Sequence, residues 1–141
     1  AGLELWWRGE RSGPLVERFR RPRPQLELGR ALRGKASACI DISDGLLADL
    51  AHLLGQDPGA RVEAAQLPVS QALHAWPPDE RRALQFGGGD DYLLLFTLPH
   101  EEPLPPECHE IGVITAELGT QLFDEHGELL PPVDPGWKHF H

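Results

Sequence analysis

The stretch Ala38-Cys39-Ile40-Asp41-Ile42-Ser43-Asp44-Gly45-Leu46, which runs on through Leu47-Ala48-Asp49-Leu50, constrains this chain more than any other. Two carboxylates and a hydroxyl interrupt an apolar run, and no Lys or Arg lies between Lys35 and Arg61 to neutralise them. A carboxylate taken out of water is costly unless it is paired, hydrogen-bonded or bound to a metal. Residues 37 to 42 read as a short apolar strand. Leu46, Leu47, Leu50, Leu53 and Leu54 then recur at the spacing of one helix face, with Asp49 and His52 on the other face and Gly55 as the stop. Asp41, Ser43 and Asp44 therefore crowd into one strand-to-helix turn.

That turn has two readings. The positive end of a helix and its free backbone N–H groups bind anions, and the Ser43 hydroxyl can donate to a phosphate. Two carboxylates would repel that phosphate unless a cation bridges them. Mg2+ takes oxygen ligands and commonly combines one or two carboxylates with substrate phosphates. Alternatively Ser43 or Asp44 caps the helix, which accounts for one of the three polar residues. A second constellation, Phe86-Gly87-Gly88-Gly89-Asp90-Asp91-Tyr92, leads into Leu93-Leu94-Leu95-Phe96. Its glycines allow close backbone approach to a ligand or positive φ, or form a plain turn with solvated acids. It is neither a dinucleotide fingerprint nor a P-loop.

Around these segments the expected elements are helices over residues 1 to 8 and 14 to 20, then the connector Arg21-Pro22-Arg23-Pro24, where proline prevents helix continuation. Strands are expected over 61 to 65, 92 to 98 and 109 to 115, the second of them too apolar for a sheet edge. Helices are expected over 68 to 75 and over 79 to 86, the latter with Asp79 as N-cap, and a hairpin over 120 to 130 turns around Asp124-Glu125-His126-Gly127. Strands and helices mix without strict alternation, so the expected fold class is α+β with a mixed sheet. A length of 141 residues bounds this to a single domain, 1 to 141.

The net charge of −9 is unevenly spread. Residues 1 to 35 hold nine basic against four acidic side chains, and the remainder four against eighteen, giving +5 and −14. An acidic body argues against a nucleic-acid surface unless a cation intervenes, and suits metals or cationic ligands. The arginine cluster reads either as a solvated face or linker, or as a contact for phosphate or a neighbouring domain. No apolar run approaches the roughly 18 to 20 residues of a membrane span, and no signal-peptide order opens the chain. Cys39 and Cys108 lack CxxC spacing and read as reduced, and the seven histidines show no HExxH spacing. A cytoplasmic protein without a membrane partner is expected. The absence of Met and an opening in mid-helix point to a piece of a longer protein.

Taken in order, the motifs resemble the C-terminal half of the thiamine-monophosphate kinases, members of the family that includes aminoimidazole ribonucleotide synthetase. Ile40-Asp41-Ile42-Ser43-Asp44-Gly45-Leu46 matches the signature IDISDGL. Gly88 to Thr97 resembles GGEDYELLFT, Leu67-Pro68-Val69-Ser70 resembles LPLS, and Ile111 to Thr115 resembles IGxIT. Ala1-Gly2-Leu3, the proline-rich connector through Gly29, and Gly136-Trp137-Lys138-His139-Phe140 extend the likeness over nearly the whole chain.

The resemblance implies the fold of that family's C-terminal domain and transfer of the terminal phosphate of ATP to thiamine monophosphate, giving thiamine diphosphate. It implies that Asp41 and Asp44 bind Mg2+, that Ser43 contacts ATP, and that Asp90 and Trp137 contact thiamine monophosphate. Trp137 would offer an aromatic face to the cation, or serve packing. Direct in-line transfer relies on positioning and charge neutralisation, so no side chain here is expected to act as a covalent catalyst. The family's first domain, with its own aspartate-rich metal site and the usual homodimer interface, would be missing, and the chain alone would be inactive. Two departures bear on the thiamine contact: Asp90 stands where the family has glutamate, and Leu93 where it has another. Another ATP-dependent enzyme of the superfamily and a non-catalytic binding module are the alternative readings.

Overall fold

The computed structural model describes residues 1 to 132. Gly136 to Phe140, and with them Trp137, lie outside the described residues. Three short helices come first: α1 (Gly2–Trp7), α2 (Pro14–Arg20) and α3 (Leu26–Ala31). Strand β1 (Ala38–Asp41) then leads into α4 (Leu46–Leu54), which is followed by β2 (Gly59–Glu63) and α5 (Pro78–Gly87). Strands β3 (Leu94–Thr97), β4 (Gly112–Thr115) and β5 (Thr120–Phe123) complete the order.

The strands form two small sheets. In one, β1 pairs antiparallel with β3, Ile40 opposite Leu95 and Asp41 opposite Leu94. In the other the order is β4-β2-β5, with β2 antiparallel to β4 and parallel to β5. The expected α+β class with a mixed sheet is therefore what the chain adopts.

Helix α4 ties these parts together, because its leucine stripe is the centre of the core. Leu46, Leu47 and Leu50 are buried with Ala60, Val62 and Leu122 of the mixed sheet, Leu95 of β3 and Phe86 of α5. Each such leucine contributes roughly 1.5 to 3 kcal/mol relative to an exposed one. Gly55, with φ of 69°, ends the helix as its sequence position predicts.

Several expectations change. A helix, α3, follows the proline connector, where no helix was expected; its Leu26 is 67% exposed, so no apolar stripe announces it. Between 68 and 75 only a 3-10 turn forms, Gln71–Ala75, because Pro68 precedes it and Ser70 caps it, the Ser70 hydroxyl accepting the Leu73 N–H at 3.3 Å. Helix α5 starts one residue early: Pro77 is its N-cap and Asp79 sits in the first turn, where a carboxylate favours the helix dipole. Strand β3 is an edge among the described residues, paired with β1 alone, despite its apolar sequence. The hairpin of 120 to 130 keeps a short return arm, bridging Phe123 to Leu129. Among the described residues no helix is long and apolar enough to cross a membrane.

Candidate functional site

The site grows from the end of β1. Asp41 is the last residue of that strand and is exposed, Ser43 and Asp44 lie in the turn, and Gly45 is the N-cap of α4 with φ of 128°. Only glycine tolerates this backbone easily. A side chain at Gly45 would also meet the backbone of Gly87, about 2.9 Å away, so the start of α4 sits directly on the end of α5.

The two acidic motifs, with Asp44 and Asp90 46 residues apart in sequence, are laced together by their backbones. The Ile42 N–H donates to the Leu93 carbonyl at 2.8 Å, the Tyr92 N–H donates to the Ile42 carbonyl at 2.8 Å, and the Asp90 N–H donates to the Ser43 carbonyl at 2.9 Å. Gly89 passes so close to the Ser43 carbonyl that any side chain there would collide with it. Asp90 and Tyr92 both take positive φ, 61° and 52°, an uncommon backbone for residues other than glycine. This turn delays β3, so the strand begins at Leu94 and not at Tyr92.

The lacing places the charges. The Tyr92 hydroxyl is 3.3 Å from Asp90 Oδ1. The Asp90 carboxylate raises the Tyr92 phenol above its ordinary range, and Asp41 and Asp44 push in the same direction. Asp90 lies beside Tyr92, and the backbone lacing sets the turn that carries Asp41 and Asp44 against the same loop. On the same strand, burial first and Asp41 second raise the Cys39 thiol, which keeps it protonated and unfit as a nucleophile at neutral pH.

Asp49 departs from the sequence reading. Expected on the polar face of α4, it is 2% exposed, and its Oδ2 accepts the N–H groups of Ser43 at 2.8 Å, Asp44 at 3.0 Å and Gly45 at 3.2 Å. Asp49 thus holds the N–H groups of the turn and of the Gly45 N-cap, while those of Leu46 to Ala48 in the first turn of α4 are not among its donors. An acid in the first turn after Gly45 is the signal that could have revealed it, since such side chains reach back to the N-cap. Arg18 was also missed. Its Nη2 donates to the Asp91 carbonyl at 3.2 Å, fastening α2 to the acidic loop. Burial raises the Asp91 carboxyl, and Arg18 opposes that shift. Arg8, Arg20 and Arg30 instead form exposed ion pairs with Glu4, Glu17 and Glu27, and Arg8 and Arg20 also lie over the rings of Trp76 and Trp6.

A cleft of about 1580 Å³ opens beside the loop. Arg18, Ile42, Gly89 and Asp90 line it, while Asp41, Ser43 and Asp44 do not. The donors around Tyr92 are carboxylate and phenol oxygens, suited to a hard cation and unsuited to zinc. Among the described residues no group of three or more acidic, histidine or cysteine side chains is arranged as a ready metal cage. Carboxylates number at most two or three here, the share of ligands that a protein commonly gives to magnesium beside substrate phosphates and water.

No family model matches the chain. It is 37% identical over 139 residues to a thiamine-monophosphate kinase of Escherichia coli K12, and 46% identical over 135 residues to that of Salmonella typhimurium. Each match covers 89% of this chain. The chain matches the C-terminal part of the thiamine-monophosphate kinases. It spans about 41% of the length of these curated relatives. A solved structure, AaThiL complexed with AMPPCP and TMP, superposes with a TM-score of 0.77 at 32% identity, covering 99% of this chain and 47% of that one. With that likeness the chain takes the aminoimidazole ribonucleotide synthetase-like fold of the thiamine-monophosphate kinases.

Proposed function

We propose that this chain is the C-terminal half of a two-domain kinase that transfers the terminal phosphoryl group of ATP to thiamine monophosphate. The observation that carries the reading is the lacing of the Asp41 to Asp44 turn to the Asp90 loop, which brings the two separate motifs of the resemblance into one acidic neighbourhood. The bound ligands of the structural neighbour support it, since AMPPCP is an ATP analogue and TMP is the phosphate acceptor.

In this reading Asp41 and Asp44 hold Mg2+, and the Ser43 hydroxyl donates to a phosphate oxygen of ATP. Bound magnesium supplies charge neutralisation to the phosphates. Asp90 offers a negative acceptor to the cationic thiamine, and Trp137 offers an aromatic face to it, worth roughly 0.5 to 2 kcal/mol. The bond from the γ-phosphorus to its bridging oxygen breaks, and one from that phosphorus to an oxygen of thiamine monophosphate forms. ADP and thiamine diphosphate leave in equal amounts. The missing N-terminal domain completes the nucleotide site, the full-length protein is a cytoplasmic homodimer, and the 141-residue chain alone does not turn over.

The test supplies the parent protein with ATP, Mg2+ and thiamine monophosphate and measures both products. Equal ADP and thiamine diphosphate, abolished by Asp41→Ala with the fold retained, is the expected result. ADP without thiamine diphosphate would assign another reaction of the superfamily, and neither product would favour a binding module.

A further inference from the structure

A buried charge is an expensive way to cap a helix. Gly45, the N-cap of α4, makes no side-chain capping bond, and its φ of 128° and its contact with the Gly87 backbone leave no room for a serine or asparagine that could make one. The chain uses a carboxylate from inside the helix, 2% exposed, and directs three successive N–H groups onto one of its oxygens. This has two consequences. Residues 43 to 45 are held in one arrangement, and with them the spacing between Asp41 and Asp44. Three N–H groups of the turn are also withdrawn from any anion, because they are spent on Asp49. A phosphate here meets carboxylates, and a cation between them offsets the repulsion.

We propose that Asp49 is the positioning residue of the cation site: by holding the N–H groups of residues 43 to 45 it fixes the turn that presents Asp41 and Asp44 to a divalent cation. The inference rests on the reading of these two carboxylates as cation ligands. Asp49 itself does not touch the cation. Its charge lies behind the turn and adds to the field that Asp41 and Asp44 set up.

The decisive experiment titrates Mn2+ into the parent protein, followed by its paramagnetic resonance signal, and scores the site that Asp41→Ala removes. Asp49→Asn keeps the shape and an acceptor oxygen but loses the charge that strengthens the three hydrogen bonds. It should weaken that site about tenfold or more, the usual effect of removing a partner that orients a metal ligand. Leu50→Ala, the next residue of the same helix and buried in the core, controls for lost stability and should leave Mn2+ affinity unchanged. Wild-type affinity in Asp49→Asn, or equal weakening in Leu50→Ala, overturns the proposal, as does a wild-type protein that binds no Mn2+. Turnover of thiamine monophosphate is scored separately. A wild type without turnover whose Mn2+ site still depends on Asp49 sinks the kinase reading and sustains the positioning role. Turnover with an Asp49-independent Mn2+ site does the reverse.

Discussion

Asp49 and Asp124 use one chemical device in two settings. Each gathers nearby backbone N–H groups onto a single carboxylate oxygen: three from residues 43 to 45 in the first case, and two, from His126 at 2.8 Å and Glu128 at 2.9 Å, in the second. Asp124 does this in water, at the tip of a hairpin that carries no other candidate function. Asp49 does it in the core, beneath the acidic turn. The difference shows what burial adds. In water the N–H groups released by a mutation find new partners at once; in the core they do not, so the same hydrogen bonds become a condition of the fold.

The contrast is broken first at Asp49. Asp49→Ala should cost about 3 to 5 kcal/mol, because it leaves buried N–H groups without an acceptor. The readout is the urea midpoint at unchanged slope, and a loss no larger than that of a surface substitution would contradict the account. Gly89→Ala comes next, at about 1 to 3 kcal/mol, since its side chain must displace the Ser43 carbonyl. It should also weaken Mn2+ binding, which a substitution at the hairpin tip should not.

Tyr92 sharpens the comparison from the site's exposed side. It is the only tyrosine of the 141 residues, so its ionisation can be followed by ultraviolet absorbance of this chain. Its midpoint should lie above that of free tyrosine, because Asp90, and then Asp41 and Asp44, oppose a phenolate. Asp90→Asn should lower the midpoint, and Mg2+ held at the same carboxylates should lower it too. A midpoint indifferent to Asp90→Asn would remove Tyr92 from the acidic neighbourhood.

The smallest effect is expected at Asp124. The Glu128 N–H above all, joined by the His126 N–H, holds this carboxyl below its ordinary range. A depressed folded value stabilises the protein above the unfolded value, about 3.9, and that contribution is lost as pH falls through the folded value. Asp124→Asn should therefore lower the melting temperature slightly at pH 7 and leave it unchanged in strong acid. An equal drop at both pH values would assign the effect to shape and not to charge.

What could be read from the sequence divides along the same line. The leucine stripe of α4, the Gly55 stop and the hairpin at Asp124 depend on residues close in sequence, and all three appear where the residues place them. The IDISDGL and GG-acid-acid-Tyr motifs were each legible as chemistry. Their junction was not, because backbone hydrogen bonds from Ile42 and Ser43 to Asp90, Tyr92 and Leu93 leave no mark on side-chain identity. Asp49 was misplaced because helical periodicity assigns a face and says nothing of a side chain that turns back along its own helix. The apolar character of β3 promised an interior strand, yet Leu95 alone is deeply buried, against α4, and the strand has one neighbour among the described residues. Hydrophobicity there reports a packed face, not the number of hydrogen-bonded partners.

The lacing also governs time. Ile42, Asp90 and Tyr92 have their N–H groups committed across the junction, while those of residues 43 to 45 are committed to Asp49. None of these amides can meet solvent deuterium unless the loop of Gly89 lifts from the turn or Asp49 swings out of the core. The amides of Ile42, Asp90 and Tyr92 therefore report the lifting of the loop, and those of residues 43 to 45 the release of Asp49.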